Sequence, residues 1–178
     1  MLFMKPTTTY ITEGQSIKTP PECTLLYFEV ELGIVINKTA KNVSEDEAMD
    51  YVGGYFLALD MTAFDFQVEA RKKGLPWCLS KGWDTATPVS EFIDKEKVKN
   101  YADTRLWLKL NGETKQDDST KDMIFSIPFV ISYISKYITL EECDVILTGT
   151  PSGVGPVYPG DVITAGLEDL VSMSFPVE

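Results

Sequence analysis

The sequence contains no histidine. Ser-His-Asp and Cys-His catalysis need an imidazole base, so both are excluded within this chain. His-ligated zinc is excluded for the same reason, and the side chain that usually moves protons near neutral pH is missing. A metal site here must rest on carboxylates, which favours a hard ion such as Mg²⁺, Mn²⁺ or Ca²⁺. Positive charge is also scarce. Sixteen Lys+Arg stand against 27 Asp+Glu, a net charge of −11. Such a surface repels phosphate backbones and argues against nucleic-acid binding. No apolar run reaches the ~20 residues of a membrane span. Cysteine is sparse: Cys23, Cys78 and Cys143 are widely spaced and form no Cys-x-x-Cys pair. Neither a disulfide framework nor a zinc cluster is indicated, and a reducing compartment fits.

The rest of the composition is ordinary for a globular chain. It is 44% apolar and 24% charged over 178 residues, which predicts one domain over residues 1–178 with a real core. The start, MLFMKPTTTY, has no basic n-region, and Lys5-Pro6 interrupts its short apolar stretch. It reads as the middle of a domain rather than a signal or transit peptide. Repeats, linkers and low-complexity stretches are absent. The charge run Asp94–Lys99 reads as a solvated face.

Leu25–Asn37 is rich in Val and Ile and predicts a strand. Ser44-Glu45-Asp46-Glu47 has capping-box spacing and predicts a short helix after it. Tyr51–Leu59 is an apolar run holding Gly53-Gly54, expected to be a buried strand with a bend. Thr62–Lys73 reads as a helix with Thr62 near its N-cap and Gly74 as its stop. Arg105–Leu110 meets Asn111-Gly112, the clearest hairpin turn in the sequence. Ser126-Ile127-Pro128 opens another helix, with an apolar face through Phe129, Ile131, Tyr133, Ile134 and Tyr137. Asp144–Leu147, Asp161–Thr164 and Leu170–Val177 read as late strands. Without regular βαβ alternation, the expected fold is a mostly β (α+β) roll or barrel with a few short helices.

Four constellations carry chemistry. Glu29 and Glu31 flank Val30 in an apolar strand, so their carboxylates project side by side. Like charges at that spacing repel unless a cation or water relieves them. The pair is read either as metal ligands or as a solvated strand face, and the motif alone favours the latter slightly. Asp60 closes the run Tyr55–Leu59; alone it is the cap of the next helix, but beside Glu29 and Glu31 it completes an octahedral Mg²⁺ set with water. Lys81 follows an apolar patch and is ordinarily surface, although near a metal-bound keto acid it stabilises an oxyanion. Leu147-Thr148-Gly149-Thr150-Pro151-Ser152-Gly153 is a Gly-rich loop without a P-loop ending. It is a turn, or a cradle for a small carboxylate.

Taken together these segments resemble the fumarylacetoacetate hydrolase family, in its acylpyruvase and oxaloacetate decarboxylase branch. The resemblance runs from Phe3-Met4-Lys5-Pro6 through Glu29-Val30-Glu31-Leu32-Gly33, Met49-Asp50-Tyr51-Val52-Gly53-Gly54-Tyr55 and Leu59-Asp60-Met61-Thr62-Ala63. It continues through Lys72-Lys73-Gly74-Leu75-Pro76-Trp77, Met123-Ile124-Phe125-Ser126-Ile127-Pro128, Thr148-Gly149-Thr150-Pro151 and Leu170-Val171-Ser172-Met173. The ordered set is specific where each piece is weak. The resemblance implies Mg²⁺ or Mn²⁺ held by Glu29, Glu31 and Asp60. It implies Lys81 near the metal, Gln67 facing the substrate and Thr150 at the substrate carboxylate. It also implies a homodimer and cleavage of a C–C bond beside a carbonyl in acylpyruvates or other short 2-oxo acids, through an enolate that decarboxylation of oxaloacetate shares. Animal relatives are often mitochondrial, so that compartment is expected, with the cytoplasm as the alternative. The family supplies a His and a Glu from a segment before the Phe-Met-Lys-Pro stretch, and this sequence starts at that stretch. It also places an Arg where Phe64 stands, so weaker recognition of an anionic substrate is expected. A catalytically impaired metal-binding homologue, acting as a dimer partner or keto-acid binder, is therefore the alternative reading. A plain acidic β-domain is the third.

Overall fold

In the computed structural model, which describes residues 1–178, the stretch expected as one strand over Leu25–Asn37 divides at Glu29. Its first part, β2 (Leu26–Phe28), and its second, β3 (Val30–Ile36), belong to different sheets. β3 pairs antiparallel with β4 (Val52–Leu59) and with β10 (Val145–Leu147), and β7 (Ile93–Asp94) closes the other edge. β2 instead lies between β5 (Thr62–Ala63) and β11 (Gly155–Val157). The second four-stranded sheet runs in the order β13 (Val171–Pro176), β12 (Val162–Leu167), β8 (Arg105–Leu110) and β9 (Glu113–Ser119). A short parallel pair, β1 (Tyr10–Ile11) with β6 (Thr87–Pro88), completes a mostly β architecture of four small sheets.

The two four-stranded sheets pack on each other, β3 against β8 and β4 against β12. Leu32, Ile34, Ile36, Leu57 and Leu59 from one sheet share a core with Leu106, Leu108, Ile163 and Phe175 from the other. β3 is buried almost throughout, because both of its faces are covered. β8 alternates as a half-solvated strand does, and Asn111 (φ 51°) and Gly112 (φ 84°) make its tight turn into β9. Only a backbone that tolerates positive φ at both positions gives that turn.

Helix α1 spans Phe64–Lys73 and stops at Gly74, whose φ of 66° places it in the left-handed region. The expected start at Thr62 is corrected: Thr62 and Ala63 are buried and paired with β2, so the helix begins two residues later. α2 is one turn, Cys78–Lys81, and α3 spans Ile127–Tyr137. Ser126 caps α3 and Pro128 sits in its first turn, as the sequence predicts. Its core-facing residues are Ile127, Ile131 and Ile134, whereas Tyr133 and Tyr137 point outward. They stand in an aromatic row with Phe125 and Phe129, stacked from Phe125 to Tyr133 and tilted between Tyr133 and Tyr137, which satisfies the apolar period with little burial. Ser44 bonds Glu47 at 2.6 Å, but the element after it is a single 3₁₀ turn over Ala48–Tyr51 rather than an α-helix. The cysteines are unpaired, and no helix is long and apolar enough to cross a membrane.

Gly33 of β3 is registered against Phe56 of β4, and a Cβ on Gly33 would lie 2.2 Å from the Phe56 ring. Phe56 is buried and has little room to retreat. We expect Gly33→Ala to destabilise the protein by ~1–3 kcal/mol in urea unfolding. Adding Phe56→Leu should restore part of the loss; an unchanged midpoint for Gly33→Ala would show that the ring is free to move.

Candidate metal centre and active site

The β3–β4 pairing sets the site. Val30 is registered against Leu59 and Glu31 against Ala58. One step further, Asp60 falls opposite Glu29, and its N–H donates to the Glu29 carbonyl at 2.8 Å. Glu29 and Glu31 are two residues apart and share a face. Carboxylate oxygens of Glu29, Glu31 and Asp60 therefore lie within 4.8 Å of one another. Glu31 and Asp60 are buried, and Glu29 is the more open of the three.

Two lysines enter this cluster. Lys81, at the end of α2, donates to Asp60 and, at 3.1 Å, to Glu29. The Ser80 hydroxyl anchors that short helix to the Ala63 carbonyl at 3.0 Å. Lys5 donates to Asp60 at 2.5 Å and to the Ala86 carbonyl at 3.1 Å. The Phe3 ring lies 5.1 Å from the Lys81 ammonium, so the Phe3–Pro6 segment is part of the site. Sequence reasoning did not single out Lys5; its only signal was a charge inside a short apolar stretch. Thr62 donates at 2.6 Å to the same Glu29 oxygen, Oε1, that Lys81 contacts, and the Gly149 N–H donates to Glu31 Oε2 at 2.7 Å, so Glu29 Oε2 and Glu31 Oε1 have no donor within the chain.

Burial pushes the Glu31 carboxyl up to about 8, and the neighbouring Asp60 and Glu29 charges add to the shift. The Gly149 N–H and Lys81 oppose it without overcoming it. Burial also lowers Lys5, offset in part by Asp60. Lys81 is pulled down by burial, but Asp60 and Glu29 together outweigh that and raise it, so it stays an ammonium. A buried carboxyl next to two more hard oxygen donors, all within 4.8 Å, fits a divalent hard cation.

The TGTP loop closes one side. The Thr150 hydroxyl donates to the Val30 carbonyl at 2.8 Å and accepts from Gln116 at 2.8 Å. Its backbone N–H has no partner within the chain. Gln116, fully buried on β9, also donates to the Pro151 carbonyl and accepts from the Val30 N–H. It locks the loop to the start of β3. Nothing in the sequence hints at that role, because Gln116 sits in the polar run ETKQDDS. Gln67 is buried on α1 but makes no hydrogen bond to the carboxylates or lysines. Phe64, at the start of α1, stacks on Tyr27 at 4.3 Å between ring centres. A cleft of about 250 Å³ beside Thr148, lined by Tyr101, Lys121, Met123, Phe125 and Ile127 among others, contains none of the cluster's carboxylates or lysines.

Residues 1–178 match the family described as fumarylacetoacetate (FAA) hydrolase, C-terminal. The chain is 56% identical over 178 residues to a mitochondrial oxaloacetate tautomerase of Homo sapiens, covering all of this chain and 80% of that protein. It is 51% identical to the protein of that name in Arabidopsis thaliana, with the same coverage. Among solved structures it is similar to a fumarylpyruvate hydrolase from Pseudomonas aeruginosa in complex with Mn²⁺ and pyruvate. There the TM-score is 0.94 at 28% identity, over 98% of this chain and 77% of that one. A 2-hydroxyhepta-2,4-diene-1,7-dioate isomerase from Mycobacterium marinum matches with a TM-score of 0.90 at 35% identity, over 98% of this chain and 67% of that one. These relatives are enzymes of small keto or enol acids.

This geometry has two measurable consequences. Between the ordinary carboxylate range and about 8, the folded metal-free protein holds a proton on Glu31 that the unfolded chain has lost. That contribution to stability declines as pH rises through this window. A divalent cation bound here displaces the proton, so its affinity should rise ~10-fold per pH unit toward pH 8 and then level. Mn²⁺ titration calorimetry at pH 7 in two buffers of different ionisation enthalpy should register about one released proton; zero release would contradict the assignment. Gln116→Leu should destabilise by ~1–3 kcal/mol, because the buried Val30 N–H loses its acceptor. Chemical denaturation reads that directly.

Proposed function

The chain belongs to the fumarylacetoacetate hydrolase family, and on that premise we propose that it is a metal-dependent enzyme of short 2-oxo acids working through their enolates. The finer reading is acylpyruvate hydrolysis, with keto–enol exchange or decarboxylation of oxaloacetate as the second. The convergence of Glu29, Glu31 and Asp60, with Lys81 and Lys5 held against them, carries this reading. The second reading is favoured by the identity to oxaloacetate tautomerases. A mitochondrial location, which those relatives' names support, and a homodimer belong to the same proposal.

Glu29, Glu31 and Asp60 are the residues that would hold Mg²⁺ or Mn²⁺. Bound there, the ion supplies Lewis-acid polarisation of a keto oxygen. The chain's own groups do the rest. Lys81 is an ammonium fixed before the reaction, so it stabilises charge that develops on the enolate oxygen more than it stabilises the neutral keto form. Thr150 offers its unpaired N–H to the substrate carboxylate, in a loop that Gln116 holds still. Gln67 is assigned to the substrate side on the family resemblance, and it is buried without a competing partner among the charged groups. In an acylpyruvate, water adds to the C4 carbonyl and the C3–C4 bond breaks. The electron pair passes to the pyruvate enolate, which takes a proton at C3, and a carboxylate leaves. In oxaloacetate, proton exchange at C3 or loss of CO₂ passes through the same enolate and needs no attacking water.

The discriminating experiment pairs two variants. Asp60→Asn should weaken Mn²⁺ binding at least ~10-fold, since it removes one hard donor. Lys81→Met should keep Mn²⁺ binding but lower turnover of acetylpyruvate or oxaloacetate by ~10²–10³-fold. Unchanged Mn²⁺ affinity in Asp60→Asn would remove the metal assignment, and full turnover in Lys81→Met would remove the role of the lysine.

A further inference from the structure

We infer that Thr62 is a positioning residue of the carboxylate cluster: its hydroxyl ties down one oxygen of Glu29, so that Glu29 offers a cation a single oxygen and the site discriminates against Ca²⁺. The inference rests on the metal reading above and adds which ions that site accepts and which side chain decides it.

Glu29 is the member of the cluster whose place is least secured. It lies between β2 and β3 and belongs to neither strand. Its side chain is 20% exposed, against 3% for that of Asp60. A glutamate with one open side has several rotamers within reach, and with them both one-oxygen and two-oxygen ligation.

Thr62 removes that choice. It is fully buried, and its backbone is fixed by its register with Tyr27 on β2. A β-branched side chain is stiff at χ1, so the hydroxyl is held in place with the strand. It donates to Glu29 Oε1 at 2.6 Å and lies 3.2 Å from the Asp60 carbonyl. The shorter contact, to a charged oxygen, has the length of a charge-assisted O–H···O⁻ bond. Lys81 reaches the same Oε1 at 3.1 Å, but its ammonium is shared with Asp60 and does not fix Glu29 alone. Oε2 is then the Glu29 oxygen open to a cation.

The other two carboxylates are constrained alike. The Gly149 N–H takes Oε2 of Glu31 and leaves Oε1. Asp60 has Lys5 on Oδ1 and Lys81 on Oδ2. No carboxylate of the cluster therefore has two uncommitted oxygens. Mg²⁺ and Mn²⁺ suit such a set, because an octahedron takes single oxygens and fills its remaining places with water or substrate. Ca²⁺ takes ~6–8 oxygens and gains from carboxylates that give two. Here each two-oxygen mode breaks a hydrogen bond to a buried group. Glu29 is the ligand with room to adopt that mode once its tie is removed, since it alone has an open side.

The test is equilibrium binding of Mn²⁺ and of Ca²⁺ to the full chain by calorimetry, with no substrate present. The wild type should bind Mn²⁺ at least ~10-fold more tightly than Ca²⁺. Thr62→Val keeps the shape and deletes the hydroxyl. It should weaken Mn²⁺ by ~10–100-fold, the range for losing the hydrogen-bond partner of a ligating group, while Ca²⁺ affinity holds or rises. Thr62→Ser keeps the hydroxyl and should keep the wild-type Mn²⁺/Ca²⁺ ratio within ~3-fold. An unchanged ratio in Thr62→Val overturns the inference. So does an equal loss for both ions, which is what a general loosening of the site would give. If Thr62→Val does not fold, Thr62→Ala makes the same comparison, and a wild type that binds Ca²⁺ as tightly as Mn²⁺ defeats the inference without any variant. The two claims fail separately. A wild type that binds neither ion removes the metal reading and this inference with it. Tight Mn²⁺ binding with an unmoved ratio in Thr62→Val removes only the role of Thr62.

Discussion

Everything in the site depends on the burial of three carboxylates at one point between strands. Isolated, each buried charge is expensive, and the attraction of a partner repays the expense only when geometry is good. Here Lys81 and Lys5 meet Asp60 almost completely out of solvent. Losing one partner from such a pair typically costs ~3–5 kcal/mol, because the other charge is stranded. The cluster is therefore a poor source of stability. A fold selected for stability alone would place apolar side chains here, so the arrangement points to chemistry.

The same constraint explains the odd local structure around it. A continuous strand over Leu25–Asn37 would send β2 and β3 into one sheet. The break at Glu29 lets β2 pair with β5, which brings Thr62 to Glu29, while β3 pairs with β4, which brings Asp60. One residue thus stands at the junction of two sheets, receiving a hydrogen bond from Thr62 on one side and facing Asp60 on the other. Gln116 adds a third sheet to the joint, because β9 reaches the Thr150 loop and the Val30 N–H through its side chain. The geometry of the carboxylate cluster is a property of how the sheets meet rather than of any one element.

That is also why the fold is easier to read in the sequence than the site. The strand Val52–Leu59, the Asn111-Gly112 hairpin and the capped helix at Ser126 carry local signals, and the structure has all of them. Glu29 and Glu31 are visible as a spacing. Their meeting with Asp60 depends on a register set across a long connection, which no periodicity encodes; only the resemblance to a family supplies it. Lys5 and Gln116 leave no pattern at all, since a lone lysine and a glutamine in a polar strand look like surface. The helix start at Thr62 fails for a related reason. A threonine before a helical run reads as a cap, but tertiary pairing with β2 takes it into a strand.

Charge counting joins the site to the rest of the molecule. An acidic protein repels anionic substrates at long range, so the site has to reverse the sign locally. Three ionised carboxylates against two ammonium groups leave one negative charge. Without a metal that excess is removed by the proton on Glu31, whose carboxyl sits near 8. With a divalent cation and Glu31 ionised, the balance becomes one positive charge. One substrate carboxylate would bring that balance to zero, which is how an acidic protein could admit an anion at this one point.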